Sequence, residues 1–167
     1  MDTQSCDFHK LFKILYFAEK EHLSKYGRTI TGDRFIAMKD GPVPSNIYDI
    51  FKVIRGDSIF TTDIDFSKEF EVKFKHYIHM LNKDFDMEIF SESEIECLSD
   101  SINENKDLSF GILRDKSHDK AWGAASRDND ISIFDIAKAG GANEELLKYI
   151  SITTENSRLQ LNNIGFV

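Results

Sequence analysis

Between Asp7 and Tyr26 the apolar residues Phe8, Leu11, Phe12, Leu15, Ala18 and Leu23 mostly recur at three- and four-residue steps, the spacing of one helix face. Asp7 can cap the start of this helix and Gly27 its end. The next apolar run, RFIAMK, is bounded by Gly32 and Gly41 and is too short for a helix, so the pattern predicts a strand over Phe35–Met38. Both prolines of the chain follow at once, in GPVP. Each fixes its own φ and pushes the preceding residue toward extended backbone, so Gly41–Pro44 reads as a rigid, polyproline-like corner that does not continue a strand inside a sheet. Ser45 is then placed to cap a second helix, with Ile47, Ile50, Phe51 and Ile54 on one side and Gly56 beyond its end.

Further on, Phe70, Val72 and Phe74 alternate with Glu71, Lys73 and Lys75, the period of a half-buried strand, and YIHML can return as its hairpin partner. A helix through Phe70, Phe74, Tyr77, Ile78 and Leu81 is the competing reading. SESE carries a capping box, with the Ser91 hydroxyl aimed at the amide of Glu94 and the Glu94 carboxylate reaching back to Ser91, ahead of Ile95, Leu98 and Ile102. Ser109 opens a short helix through Leu113, Ser132 another through Ala139 that stops at Gly140, and Asn143 caps the last. The pattern sums to an α+β, mainly α-helical fold. We expect a single domain over residues 1–167, with about six to seven helices and a small antiparallel sheet of two to three short strands.

Composition narrows the classes of function. At 167 residues the chain can bury a core without disulfides or metal. Its net charge of -8 disfavours a phosphate backbone as main partner, so nucleic acid is not expected, and there is no helix-turn-helix with a basic recognition helix. No apolar run approaches the ~20 residues of a membrane helix, and the first residues lack the marks of an export leader, which predicts a cytoplasmic location without a membrane partner. Cys6 and Cys97 stand far apart without a CxxC spacing and read as reduced structural thiols.

Two stretches raise the question of chemistry. His76 and His79 would share a face on a helix but not on the preferred strand, which argues against a metal site. LRDKSHDKAW gathers Asp115, Ser117, His118, Asp119 and Trp122. A hydrolase centred on His118 is the alternative function, yet no GxSxG elbow surrounds Ser117. The structural reading makes Trp122 an anchor and has His118 bond a backbone carbonyl or a carboxylate. No glycine pattern matches a phosphate-cradling loop, and no cofactor is expected.

One ordered series of segments is more specific than any of these. LFKILYFAEKEHLSKYGRTITGDRFIAMKDGPVPSNIYDIF at Leu11–Phe51, FSESEIECL at Phe90–Leu98 and SFGILRDKSHDKAW at Ser109–Trp122 together resemble the Panacea family of SocA-like antitoxin domains, which includes phage-associated GepA-like proteins. The resemblance implies a mostly helical, non-enzymatic domain that binds and neutralises a cognate toxin protein encoded beside it. It implies either direct inhibition or delivery of the toxin to a ClpXP-type protease, and it leaves DNA-binding autoregulation as a further alternative. Many relatives carry extra terminal regions, whereas little here lies outside the shared part, so the partner is expected to meet the domain surface itself. A stiff exposed segment costs little entropy to bind, which makes Tyr16, Asp40, Gly41, Pro42, Val43, Pro44 and Tyr48 the candidate partner-binding residues. Ser91, Glu94, Ser117, His118 and Trp122 are the candidate structural motif. An acidic chain would suit a basic toxin.

Overall fold

The fold is built around one helix. In the computed structural model, which describes residues 5–58, 65–82, 84 and 86–163, helix α1 spans Phe8–Tyr26 and buries residues on most of its circumference, Lys13, Glu19 and His22 among them. Its ends form as the residue types predict. The Asp7 carboxylate accepts from the amides of His9 and Lys10, and Gly27 closes the helix at φ 68°.

Two hydrophobic clusters meet along α1. Its C-terminal half gives Tyr16, Phe17 and Leu23 to a cluster with Phe35, Leu113, Ile136 and Ile150. Its N-terminal end gives Phe8 and Phe12 to a second with Phe51 and Ile78. Around α1 stand α2 (Ser45–Arg55), α3 (Glu92–Asn105), α4 (Phe110–Ser117), α5 (Lys120–Ala124), α6 (Ile133–Ala139) and α7 (Glu144–Asn163). The result is α+β and mainly helical.

The strands form two small antiparallel sheets rather than one. In the first, β1 (Ser5–Asp7) and β4 (Phe70–Lys73) flank β5 (Tyr77–Met80), which settles the competing readings of this region in favour of the hairpin. Phe74 lies beyond β4, in the turn.

The second sheet corrects the reading of GPVP. Gly41–Pro44 is not a polyproline corner but a strand, β3, paired with β2 (Phe35–Met38) in the register Met38–Gly41, Ala37–Pro42, Ile36–Val43 and Phe35–Pro44. Hydrogen bonds alternate along an antiparallel pair, and their parity explains how prolines are tolerated. The Ser45 amide donates to the Arg34 carbonyl (2.8 Å), so the residues of β3 that bond β2 are Gly41 and Val43, and positions 42 and 44 face away. On the far side of β2, residues 128–131 run alongside, with Ala37 N to Asn129 O at 2.9 Å and Ile131 N to Phe35 O at 2.7 Å.

A second correction concerns α2. Pro44 holds its N-cap position and no side chain of the cap residue bonds the helix, so Ser45 is already its first residue. The amides of Asn46 and Ile47 donate instead to the two carboxylate oxygens of Asp33, each at 3.0 Å, so the cap arrives from before the hairpin. The other caps agree with the sequence reading at Ser91, Ser109, Ser132, Asn143 and Gly56, and α4 runs on past Leu113 to Ser117.

Candidate functional site

A groove of about 550 Å³ opens beside the turn of the β2–β3 hairpin. Phe8 and Phe12 from α1, Val43 from β3 and Tyr48 from α2 supply apolar surface. Phe110 of α4 and His76 of the β4–β5 turn line it as well. The apolar part is held by ring packing: Phe8 lies 4.8 Å from Phe51 between centroids, and Phe12 meets Tyr48 edge-on at 5.6 Å. The His9 ring stacks on Phe110 at 3.9 Å while its Nε2 sits 3.2 Å from the Asp40 carbonyl oxygen, which joins α1 to the hairpin turn. Burial lowers the His9 pKa.

Beneath the turn lies a buried lysine. Lys13 Nζ donates to the Pro42 carbonyl oxygen at 2.8 Å, the acceptor that faces away from β2. Burial pushes its pKa down to about 7, against an opposing pull from Asp40. Gly41, at φ 101°, lets the hairpin come this close: a Cβ there would collide with Ser117 Oγ and lie 2.7 Å from Lys13 Cε.

Four of the seven candidate partner-binding residues, Asp40, Gly41, Val43 and Tyr48, line the groove together. The other three do not present surface as expected. Tyr16 is 0% exposed, its hydroxyl donating to both Asp119 carboxylate oxygens at 3.0 Å, with burial raising its pKa. Pro42 and Pro44 are each less than 2% exposed because β3 packs against α1. Sequence reasoning missed His9, Lys13, Arg55, His76 and Phe110 as lining residues. Two left a trace: His76, weighed there only as a metal ligand, and Phe110, an apolar residue at the first position of a capped helix.

The candidate structural motif divides in two. Ser91 N donates to Glu94 Oε2 (2.7 Å) and Glu94 N to Ser91 Oγ (3.4 Å), and these bonds hold the Glu94 pKa down. Trp122 anchors as expected, its indole N–H donating to the Met38 carbonyl oxygen at 3.0 Å. His118 differs: it lies flat on Trp122 at 3.8 Å and 5°, and its buried Nε2 bonds neither a carbonyl nor a carboxylate. Burial lowers its pKa, which favours the neutral ring. Ser117 is buried with its hydroxyl donating to the Arg114 carbonyl oxygen at 2.8 Å, and Asp119 takes Tyr16, Lys20 and the first amides of α5. These side chains are committed to the fold and do not assemble into a relay. Among the described residues no group of three His, Cys, Asp or Glu side chains could hold a metal ion, and no helix is long and apolar enough to cross a membrane.

A family model described as Antitoxin SocA-like, Panacea domain, matches residues 11–123. The chain belongs to this family. The matched span begins within α1 and ends within α5, so it contains both hairpins and most of the groove lining, but it leaves out α6 and α7, contrary to the expectation that little lies outside the shared part. No match was found among curated proteins or among solved structures. For a Panacea domain, an antitoxin-like role and a protein partner such as a toxin are the general expectation.

Proposed function

We propose that this protein is the antitoxin of a bacterial or phage toxin-antitoxin pair, and that it binds and neutralises a toxin protein encoded beside it, in the cytoplasm. Family membership over residues 11–123 carries the reading. The groove supports it as the contact site, because an open apolar surface edged by fixed polar groups suits a protein segment, and its walls are already held in place by ring stacking and by the Lys13 tether. The side chains around His118 give no support to a hydrolase.

The test is to express the product of the adjacent gene alone and together with this protein. Growth should stop in the first case and resume in the second, and the two proteins should co-purify. Tyr48→Ala and Asp40→Lys, both in the groove, should weaken the complex at least tenfold without loss of folding. A harmless neighbour, or a toxic one that neither binds nor is rescued, would remove the proposal. Delivery to a ClpXP-type protease is separable in the same cells: it shortens the toxin's half-life only while the protease is present, whereas direct inhibition leaves a stable complex.

A further inference from the structure

The turn between β4 and β5 is built to display an aromatic side chain. Phe74 is 82% exposed, the most exposed of the large apolar residues described. It also sits at φ 51°, followed by Lys75 at φ 68°, in a turn closed by His76 N to Lys73 O at 3.3 Å. Two successive positive φ values are those of a type I′ turn, whose usual occupants are Asn, Asp and Gly. A bulky ring in that conformation is an outlier, and both its strain and its exposure work against the folded state.

The backbone beneath it is nevertheless fastened at two further points. Arg55 Nη1 donates to the Lys75 carbonyl oxygen at 2.5 Å, and Phe8 N donates to the His76 carbonyl oxygen at 2.8 Å. The ring of Tyr77, 38% exposed, stands edge-on to Phe74 at 6.5 Å. A rigid backbone that holds an apolar ring in water resembles a binding anchor more than a frayed loop.

Its setting is basic. The sequence contains no acidic residue from Val72 to Lys83, in a chain of net charge -8, while Lys73, Lys75 and His76 flank Phe74 along the chain. Lys73 is paired with Glu71 at 2.6 Å, and His76 lies 4.0 Å from Asp7, which leaves Lys75 as the cation beside Phe74 with no acidic partner within ion-pair distance among the described residues. Because one lysine is already paired and glutamates 69 and 71 lie close by in sequence, the cluster is too weak for a nucleic-acid backbone. His76 also lines the groove, so the turn is an extension of the candidate site.

We infer that Phe74 is the anchor of the toxin interface, inserting into an apolar pocket of the toxin whose rim carries carboxylates facing Lys75. This rests on the antitoxin reading and refines it: the protein's overall charge favours a basic partner, but this contact selects an acidic rim.

The test uses the full chain and the toxin captured by co-expression, with affinity measured for the wild type, Phe74→Ala, Phe74→Asn and Lys75→Glu. Both Phe74 variants should bind at least tenfold more weakly, and Lys75→Glu should weaken binding and reduce its salt dependence. Phe74→Asn should at the same time raise the thermal midpoint, since Asn suits the turn, a gain a purely structural ring would not permit. Phe74 variants that bind within twofold of the wild type overturn this inference alone. So does a labelled RNA or DNA strand whose binding is lost in Phe74→Ala while toxin binding is unchanged. A wild type that captures no adjacent gene product overturns the antitoxin reading and this inference with it.

Discussion

Lys13, Glu19 and His22 are polar residues on the inner side of α1, and each holds a different part of the chain. Lys13 bonds Pro42, the Glu19 carboxylate accepts from the amides of Ile30 (3.1 Å) and Thr31 (3.3 Å), and His22 lies 2.8 Å from the Arg28 carbonyl oxygen and 3.1 Å from Ser93 Oγ. Two of them tie stability to pH in opposite senses. Burial raises the Glu19 pKa from 4.5 to about 7, so the folded state keeps its proton where the unfolded chain has lost it, and stability falls as pH rises through that window. Burial lowers the Lys13 pKa from 10.5 to about 7, so above pH 7 the unfolded chain binds the extra proton and stability rises with pH. From these two groups the unfolding free energy measured by urea titration should pass through a minimum near pH 7, with each limb on the order of 2 kcal/mol over two pH units. Glu19→Gln should flatten the acid limb and Lys13→Met the alkaline one; parallel profiles for variant and wild type would sink the assignment. None of this was legible in the sequence, because periodicity assigns polar residues to water and cannot reveal a lysine whose acceptor lies 29 residues away.

Among the elements, those with a cap beside them in the chain were readable. The Ser91–Glu94 box, Ser109, Ser132 and Asn143 marked their helices from sequence alone. Where the stabilising partner is remote, the reading failed. Strand β1 is three residues long and forms only against β5, and α5 is a five-residue helix whose Asp119 cap lay inside the stretch first weighed for chemistry. The same distinction yields a prediction for α2. Asp33→Ala should cost about 1–2 kcal/mol by removing the acceptor of two helix amides, while Ser45→Ala should change the midpoint little. Equal losses for the two variants in chemical denaturation would restore Ser45 as the cap.

At the scale of the molecule, α1 belongs to both hydrophobic clusters, so neither has an intact wall without it. The clusters should therefore unfold together. Trp122, the one tryptophan of the chain, packs against the first cluster, whereas Phe12 belongs to the second. Phe12→Ala, a cavity expected to cost about 3–5 kcal/mol, should shift the Trp122 fluorescence midpoint as far as the far-ultraviolet dichroism midpoint. A fluorescence transition left in place would show two independent units. The groove is a product of this scale too: α1, the β2–β3 hairpin, α2, α4 and the β4–β5 turn meet there, and only the packed molecule brings Asp40 and Tyr48 together with His76 and Phe110.

The prolines of β3 have one further consequence. A toxin could dock by lending a strand to an open sheet edge, where backbone amides and carbonyls do the recognising. On the outer side of β3 positions 42 and 44 have no amide hydrogen to lend, and the carbonyl oxygen of Pro42 is taken by Lys13. That edge is closed to strand recruitment by a toxin or by a second copy of this chain. Recognition beside the hairpin must then pass through side chains, which a partner can match or mismatch one residue at a time.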